Sequence, residues 1–227
     1  MSLPLVRLLQ LTTPALPVGA YTYSQGLEWA IDSGRIADEA SAGDWIGDVM
    51  THSLGRFELP LLAALMRAWP AADRAEVARL NEDFLASRET RELRAETVQM
   101  GYSLTRLLLE LDRFTAIAGA AEALRGVDTP AFPTAWSAAA CAWRIAPAEA
   151  LPAYAWAWLE NQVMAAIKAV PLGQSAGQRL LAALGERIPE LADAAATLPE
   201  ADWSNFTPAL AIASCRHETQ YSRLFRS

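Results

Sequence analysis

Residues 147–171 read PAEALPAYAWAWLENQVMAAIKAVP, and this stretch decides the fold class. Proline is tolerated in a first helical turn and stops a helix beyond its end, so Pro147 and Pro171 bracket one long helix. Leu151, Tyr154, Trp158, Val163 and Ile167 recur at helical spacing and are expected to be buried. The apolar run from Leu151 to Leu159 falls far short of the roughly 20 residues that cross a bilayer.

The same composition extends outward in both directions. Ala, Leu, Glu and Arg dominate, strand-like alternation is missing, and Pro or Gly punctuates at short intervals. Toward the C-terminus, Gly173 to Leu184 reads as a short helix, and Thr207-Pro208 as a capping hydroxyl before a first-turn proline. Thr129-Pro130 reads the same way. Toward the N-terminus, Val98, Tyr102, Thr105 and Leu109 mark one helix face. Val77, Leu80, Phe84 and Arg88 mark the face of another, from about Asp73 to Arg94. Ser41-Ala42-Gly43-Asp44 resembles a capping box ahead of Trp45, Val49 and His52. A helix from about Ser24 to Asp32 and another from Leu3 to Leu11 flank a loop over residues 12–23. The expected architecture is one all-α domain over residues 1–227 with about ten helices.

The chain carries a net charge of −7, and Lys168 is its single lysine. Nucleic-acid binding rests on phosphate neutralisation, and no Lys/Arg run supplies it. Cys141 and Cys215 lie far apart and no signal-peptide pattern opens the sequence, so reduced thiols in the cytoplasm are expected. Eight tryptophans and a 52 % hydrophobic share exceed the usual, and the excess serves either the core or a subunit interface.

Enzyme signals fail one by one. The glycines of residues 173–178 lack the spacing and the lysine of a phosphate-binding loop. His217-Glu218 begins like a zinc-helix motif, but Tyr221 stands where the second histidine is required. There is no G-x-S-x-G elbow. The run Glu89-Thr90-Arg91-Glu92-Leu93-Arg94 reads first as a solvated helix face with an Arg88–Glu92 pair, and otherwise as a charged cluster.

The last twelve residues are the most unusual. Residues 216–227 hold three arginines against one glutamate, a side-chain charge of +2. If helical, Leu210, Ser214, His217, Tyr221 and Leu224 share a stripe edged by Phe225, opposite Arg216, Arg223 and Arg226. Such a tail docks either on a partner or on its own domain.

Four segments together resemble the UreF family of urease accessory proteins. They are Leu8–Leu11 with Leu16–Glu28, then Arg88–Arg94, then Ile167–Gln174 with Gly177-Gln178, and finally His217–Ser227. The resemblance implies an all-helical, dimeric, non-catalytic scaffold. Such a scaffold would join UreD (also called UreH), recruit the GTPase UreG, and couple GTP hydrolysis to nickel insertion into apo-urease. Nickel and GTP would be handled by the assembled complex, with no cofactor bound by this chain. It also implies that Arg223, Tyr21 and Lys168 face UreG, with Tyr221, His217 and Arg226 of the last segment facing partners too. The loop over residues 12–23 and the tail over residues 216–227 would be the partner-binding segments. The competing reading is a small helical metal-dependent enzyme using His217 and Glu218, or a metal-activated water at Cys215 and His217.

Overall fold

The computed structural model describes residues 2–170 and 172–227. Among them there is no strand, and ten of the thirteen α-helical segments are ten residues or longer. In chain order α1 is Leu3–Thr12, α2 Leu27–Asp32, α3 Glu39–Val49, α4 Leu59–Ala68 and α5 Arg74–Ala86. Then come α6 Arg91–Glu110, α7 Asp112–Thr115, α8 Ala120–Arg125 and α9 Phe132–Ala142. The chain closes with α10 Pro147–Ala169, α11 Gln174–Gly185, α12 Ile188–Thr197 and α13 Pro208–His217.

The bracketed stretch forms α10, roughly 35 Å long at about 1.5 Å per residue. Leu151, Tyr154 and Val163 are buried as expected, whereas Trp158 and Ile167 are half-buried. The closing proline, Pro171, lies outside the described residues. Helices α1, α2, α3, α4, α11 and α12 all pack on α10. Helix α4 is buried on every side from Leu59 to Met66, as a helix without a polar face must be. Helices α6 and α9 cross so closely that a Cβ on Gly101 would lie 1.9 Å from the Pro130 carbonyl oxygen.

Between α3 and α4 the chain widens into a π-helix over Met50–Glu58. Pro60 explains part of this. It has no N–H for the Arg56 carbonyl, which accepts the Ser204 amide at 3.1 Å instead. The wide turns leave Glu58 buried.

Several local expectations are corrected. The helix from Asp73 to Arg94 is two helices, because the Thr90 hydroxyl caps the Leu93 amide at 3.2 Å and starts α6 anew. The capping box at the start of α3 is Asp38 with Ser41 rather than Ser41 with Asp44, so that helix opens earlier. Thr129-Pro130 does not open a helix; α9 begins after Ala131. Thr207 stands at the N-cap of α13, but its hydroxyl makes no capping bond. On α6 the buried stripe is Leu93, Thr97, Met100, Leu104 and Leu108, while Tyr102 is exposed. The tail is not helical beyond His217, so its expected stripe does not form.

Candidate functional site

Two helix N-termini and one turn build the site. Glu28 stands in the first turn of α2 and Glu92 in the first turn of α6, positions where the helix dipole favours a carboxylate. Helix α13 runs beside α2, and Gly26 makes this possible. Its φ is +77°, and a Cβ there would meet the Ser214 amide nitrogen at 2.9 Å. The packing brings the last turn of α13, with His217, between the two carboxylates.

His217 is 0 % exposed. Its Nδ1 lies 2.7 Å from Glu92 Oε2 and its Nε2 lies 3.1 Å from Glu28 Oε2. Glu92 also accepts the Arg223 guanidinium at 2.6 Å, so two carboxylates face two basic side chains. The Glu92 amide donates to Glu218 at 3.3 Å.

The tail beyond His217 is held by its backbone. Glu28 accepts the Leu224 amide at 2.6 Å and the Phe225 amide at 3.0 Å. The Arg226 amide donates to the Thr22 carbonyl at 2.8 Å. The Ser227 carbonyl accepts the Ser24 amide at 2.7 Å and the Ser24 hydroxyl at 2.5 Å. From there a polar chain enters the interior. Ser227 Oγ donates to Glu96 at 2.8 Å, Gln25 Nε2 donates to the other Glu96 oxygen at 2.8 Å, and Trp158 Nε1 donates to Gln25 at 2.9 Å. Burial pushes the Glu96 carboxyl up to about 7 against the pull of these hydrogen bonds. Burial, and then the Glu96 charge, push the Tyr23 phenol up as well.

Tyr21 and Lys168 complete the outer face. The Lys168 ammonium, in the last turn of α10, lies 5.8 Å from the Tyr21 ring and 5.8 Å from the Phe225 ring. Phe225 is buried, whereas Tyr21, Tyr221, Leu224, Arg223 and Arg226 are exposed. Tyr21 and Lys168 also line a cavity of about 200 Å³ with apolar walls that include Leu16, Val18, Met100 and Trp136. Glu58, Glu96, Arg88 and Tyr154 line the same cavity. There Tyr154 donates to Glu58 at 2.5 Å, and the Arg88 guanidinium is 3.6 Å from Glu58. Burial, and then Glu58, raise the Tyr154 phenol well above its ordinary value.

Of the six residues expected to face partners, Tyr21, Lys168, Tyr221, Arg223 and Arg226 are exposed and His217 is not. His217 is an interior residue. The Arg88–Glu92 pair does not form, because Arg88 precedes the helix and turns to Glu58 while Glu92 serves the tail. Glu92 is therefore not part of a solvated face. The His217–Glu218 pair expected under the enzyme alternative does not form. Glu218 is not a partner of His217, and both ring nitrogens of His217 are engaged away from solvent. Cys215 is exposed on the other side of α13. Among the described residues no group of three or more His, Cys, Asp or Glu side chains is arranged to hold a metal ion. No helix among them is long and apolar enough to cross a membrane.

Ser24, Gln25 and Glu28 close the first segment that resembles the family, without a role attached to them, and Glu96 lies outside all four segments. The available signal was Glu28 itself, an acidic residue between Leu27 and Trp29 in a helix with little polar surface.

A family model described as UreF matches residues 36–185. A protein of Azoarcus sp. (strain BH72) is 71 % identical over 225 residues, covering 99 % of this chain and 96 % of that protein. One from Dechloromonas aromatica (strain RCB) is 64 % identical over 227 residues, covering 99 % and 98 %. One from Methylobacillus flagellatus is 54 % identical over 224 residues, covering 98 % and 97 %. Each bears the name urease accessory protein UreF. With two thirds of the chain inside the family model and such relatives along nearly its whole length, the chain belongs to the UreF family of urease accessory proteins.

Proposed function

We propose that this chain is a non-catalytic, dimeric scaffold of urease maturation in the cytoplasm. With UreD (UreH) it recruits the GTPase UreG, docks on apo-urease, and couples GTP hydrolysis to nickel insertion. Nickel is cargo of the assembled complex, GTP belongs to UreG, and this chain binds no cofactor of its own.

One observation carries the reading. Residues from three distant parts of the sequence meet where the Lys168 ammonium lies 5.8 Å from both the exposed Tyr21 ring and the buried Phe225 ring of the tail. Arginine, tyrosine and tryptophan dominate the energetics of protein interfaces, and Tyr21, Tyr221 and Arg223 are exposed. The engagement of both His217 nitrogens by carboxylates argues against acid–base chemistry at the same place.

The test is size-exclusion chromatography with light scattering on the chain mixed with UreD and UreG of the same organism. A three-component species containing two copies of this chain, formed only when UreD is present, is expected. Separate elution of all three at micromolar concentration would overturn the proposal.

A further inference from the structure

We infer that the cavity lined by Tyr21 and Lys168 is a binding site for a small aromatic amine, its ring among the aromatic walls and its ammonium on the Glu96 carboxylate. The inference does not rest on the scaffold proposed above.

Size and walls set the body of the ligand. The cavity holds about 200 Å³, below the roughly 300 Å³ at which drug-sized pockets begin, yet an apolar cavity of about 150 Å³ is enough for benzene. One ring with a short polar arm is what such a space accepts. Phe84, Phe132, Trp136 and Trp158 line it with rings. The Tyr154 ring stands edge-on to Trp136 at 5.2 Å and lies 5.8 Å from Phe132. Aromatic faces are negative and attract a cation as well as a ring edge.

The polar end sets the charge. Leu93, Glu96, Thr97 and Met100 bring consecutive turns of α6 to the cavity, and Glu58, Arg88 and Tyr154 meet Glu96 there. Glu58 is already answered, by the Tyr154 hydroxyl at 2.5 Å and the Arg88 guanidinium at 3.6 Å. Arg88 in turn lies 4.2 Å over the Phe84 ring. Glu96 differs. It is 6 % exposed and takes its hydrogen bonds from neutral donors, the Gln25 amide and the Ser227 hydroxyl, each at 2.8 Å. Among the described residues no basic side chain forms an ion pair with it.

A buried carboxylate without a counter-ion either keeps a proton or acquires a cation. Burial pushes Glu96 up to about 7. The charged and titratable groups around it are Glu58, Arg88 ahead of α6, Tyr154 of α10, and Tyr23 with Arg226 beside it. An ammonium entering the cavity displaces the proton and becomes the missing counter-ion. A carboxylate ligand would face Glu58 and Glu96 together, and a neutral one would leave Glu96 protonated.

The experiment is calorimetric titration of the full chain with benzylamine at pH 6, 7 and 8, beside benzyl alcohol and benzoate as its neutral and anionic counterparts. Benzylamine stays protonated over this range, so its affinity should rise about tenfold from pH 6 to pH 8 as Glu96 gives up its proton. At pH 8 it should bind at least about tenfold more tightly than either counterpart, the effect of one charge-assisted hydrogen bond. Glu96→Gln should flatten the pH profile and remove the preference for the amine. Ala157→Phe is the second variant. It places a ring in the cavity from a half-buried position of α10 without removing a polar group, so it should abolish binding, and it answers the question if Glu96→Gln does not fold. No binding of benzylamine at millimolar concentration would overturn the site, as would equal affinity for the three probes. An affinity indifferent to pH in the parent chain, or undiminished binding in a folded Ala157→Phe chain, would overturn it too.

Discussion

The Ser227 hydroxyl donates to the Glu96 carboxylate at 2.8 Å across 131 residues of sequence, inside the protein. Burial raises this carboxyl to about 7 from an ordinary 4.5, so the folded chain holds a proton that the unfolded chain gives up. Between these values stability falls as pH rises, and above about 7 the full cost of the buried charge is felt, on the order of 3 kcal/mol. Glu96→Gln is expected to flatten the fall in thermal midpoint between pH 5 and 8 and to exceed the parent chain at pH 8. A parent profile that rises across this range would contradict the assignment.

Gly101→Ala is expected to destabilise by roughly 3 kcal/mol or more. The added methyl would sit 1.9 Å from a main-chain oxygen of Pro130, and backbone yields less than a side chain. Urea unfolding midpoints measure it, and a shift within error would mean that α6 and α9 separate without cost.

The two thiols should differ in reactivity. Burial pushes Cys141 up to about 11, whereas Cys215 is exposed. At pH 8 a thiol reagent should modify one equivalent quickly and the second slowly. Mass spectrometry should place the first on Cys215, and equal rates would show that the environment of Cys141 is open.

Arg223→Ala should leave the fold nearly intact. The Arg223 side chain is 39 % exposed, and exposed ion pairs contribute about 1 kcal/mol or less. Capture of UreG in the presence of UreD should fall on the order of 30-fold, the effect of losing an interface residue worth 2 kcal/mol or more. Parallel calorimetry and pull-down separate the outcomes. A collapse of the thermal midpoint would make Arg223 a structural residue.

Much of the fold was legible because helix periodicity and proline placement are local properties. The bracket from Pro147 to Ala169, the burial of Leu151, Tyr154 and Val163, and the starts of α1 and α11 follow from neighbours a few residues apart. Where a single hydroxyl decides between continuing and restarting a helix, as Thr90 does, periodicity ran through the break. The stripe on α6 was misread because Tyr102 and Leu109 are as apolar as the residues that are buried, and only the crossing with α9 selects the face.

The sequence by itself determined an all-helical domain, the absence of the common catalytic motifs, and the four segments that resemble the family, because each is written in residues close together along the chain. Only the tertiary structure decided where the tail lies. Its arginines and aromatics suggest a helix when read locally, yet the energetics lie in carboxylates far away in sequence. Glu28, Glu92 and Glu96 take up tail amides, a histidine ring, a guanidinium and a hydroxyl that no local pattern could pair with them. A buried charge is tolerated only where several distant groups satisfy it together, and that condition exists only once the helices have packed.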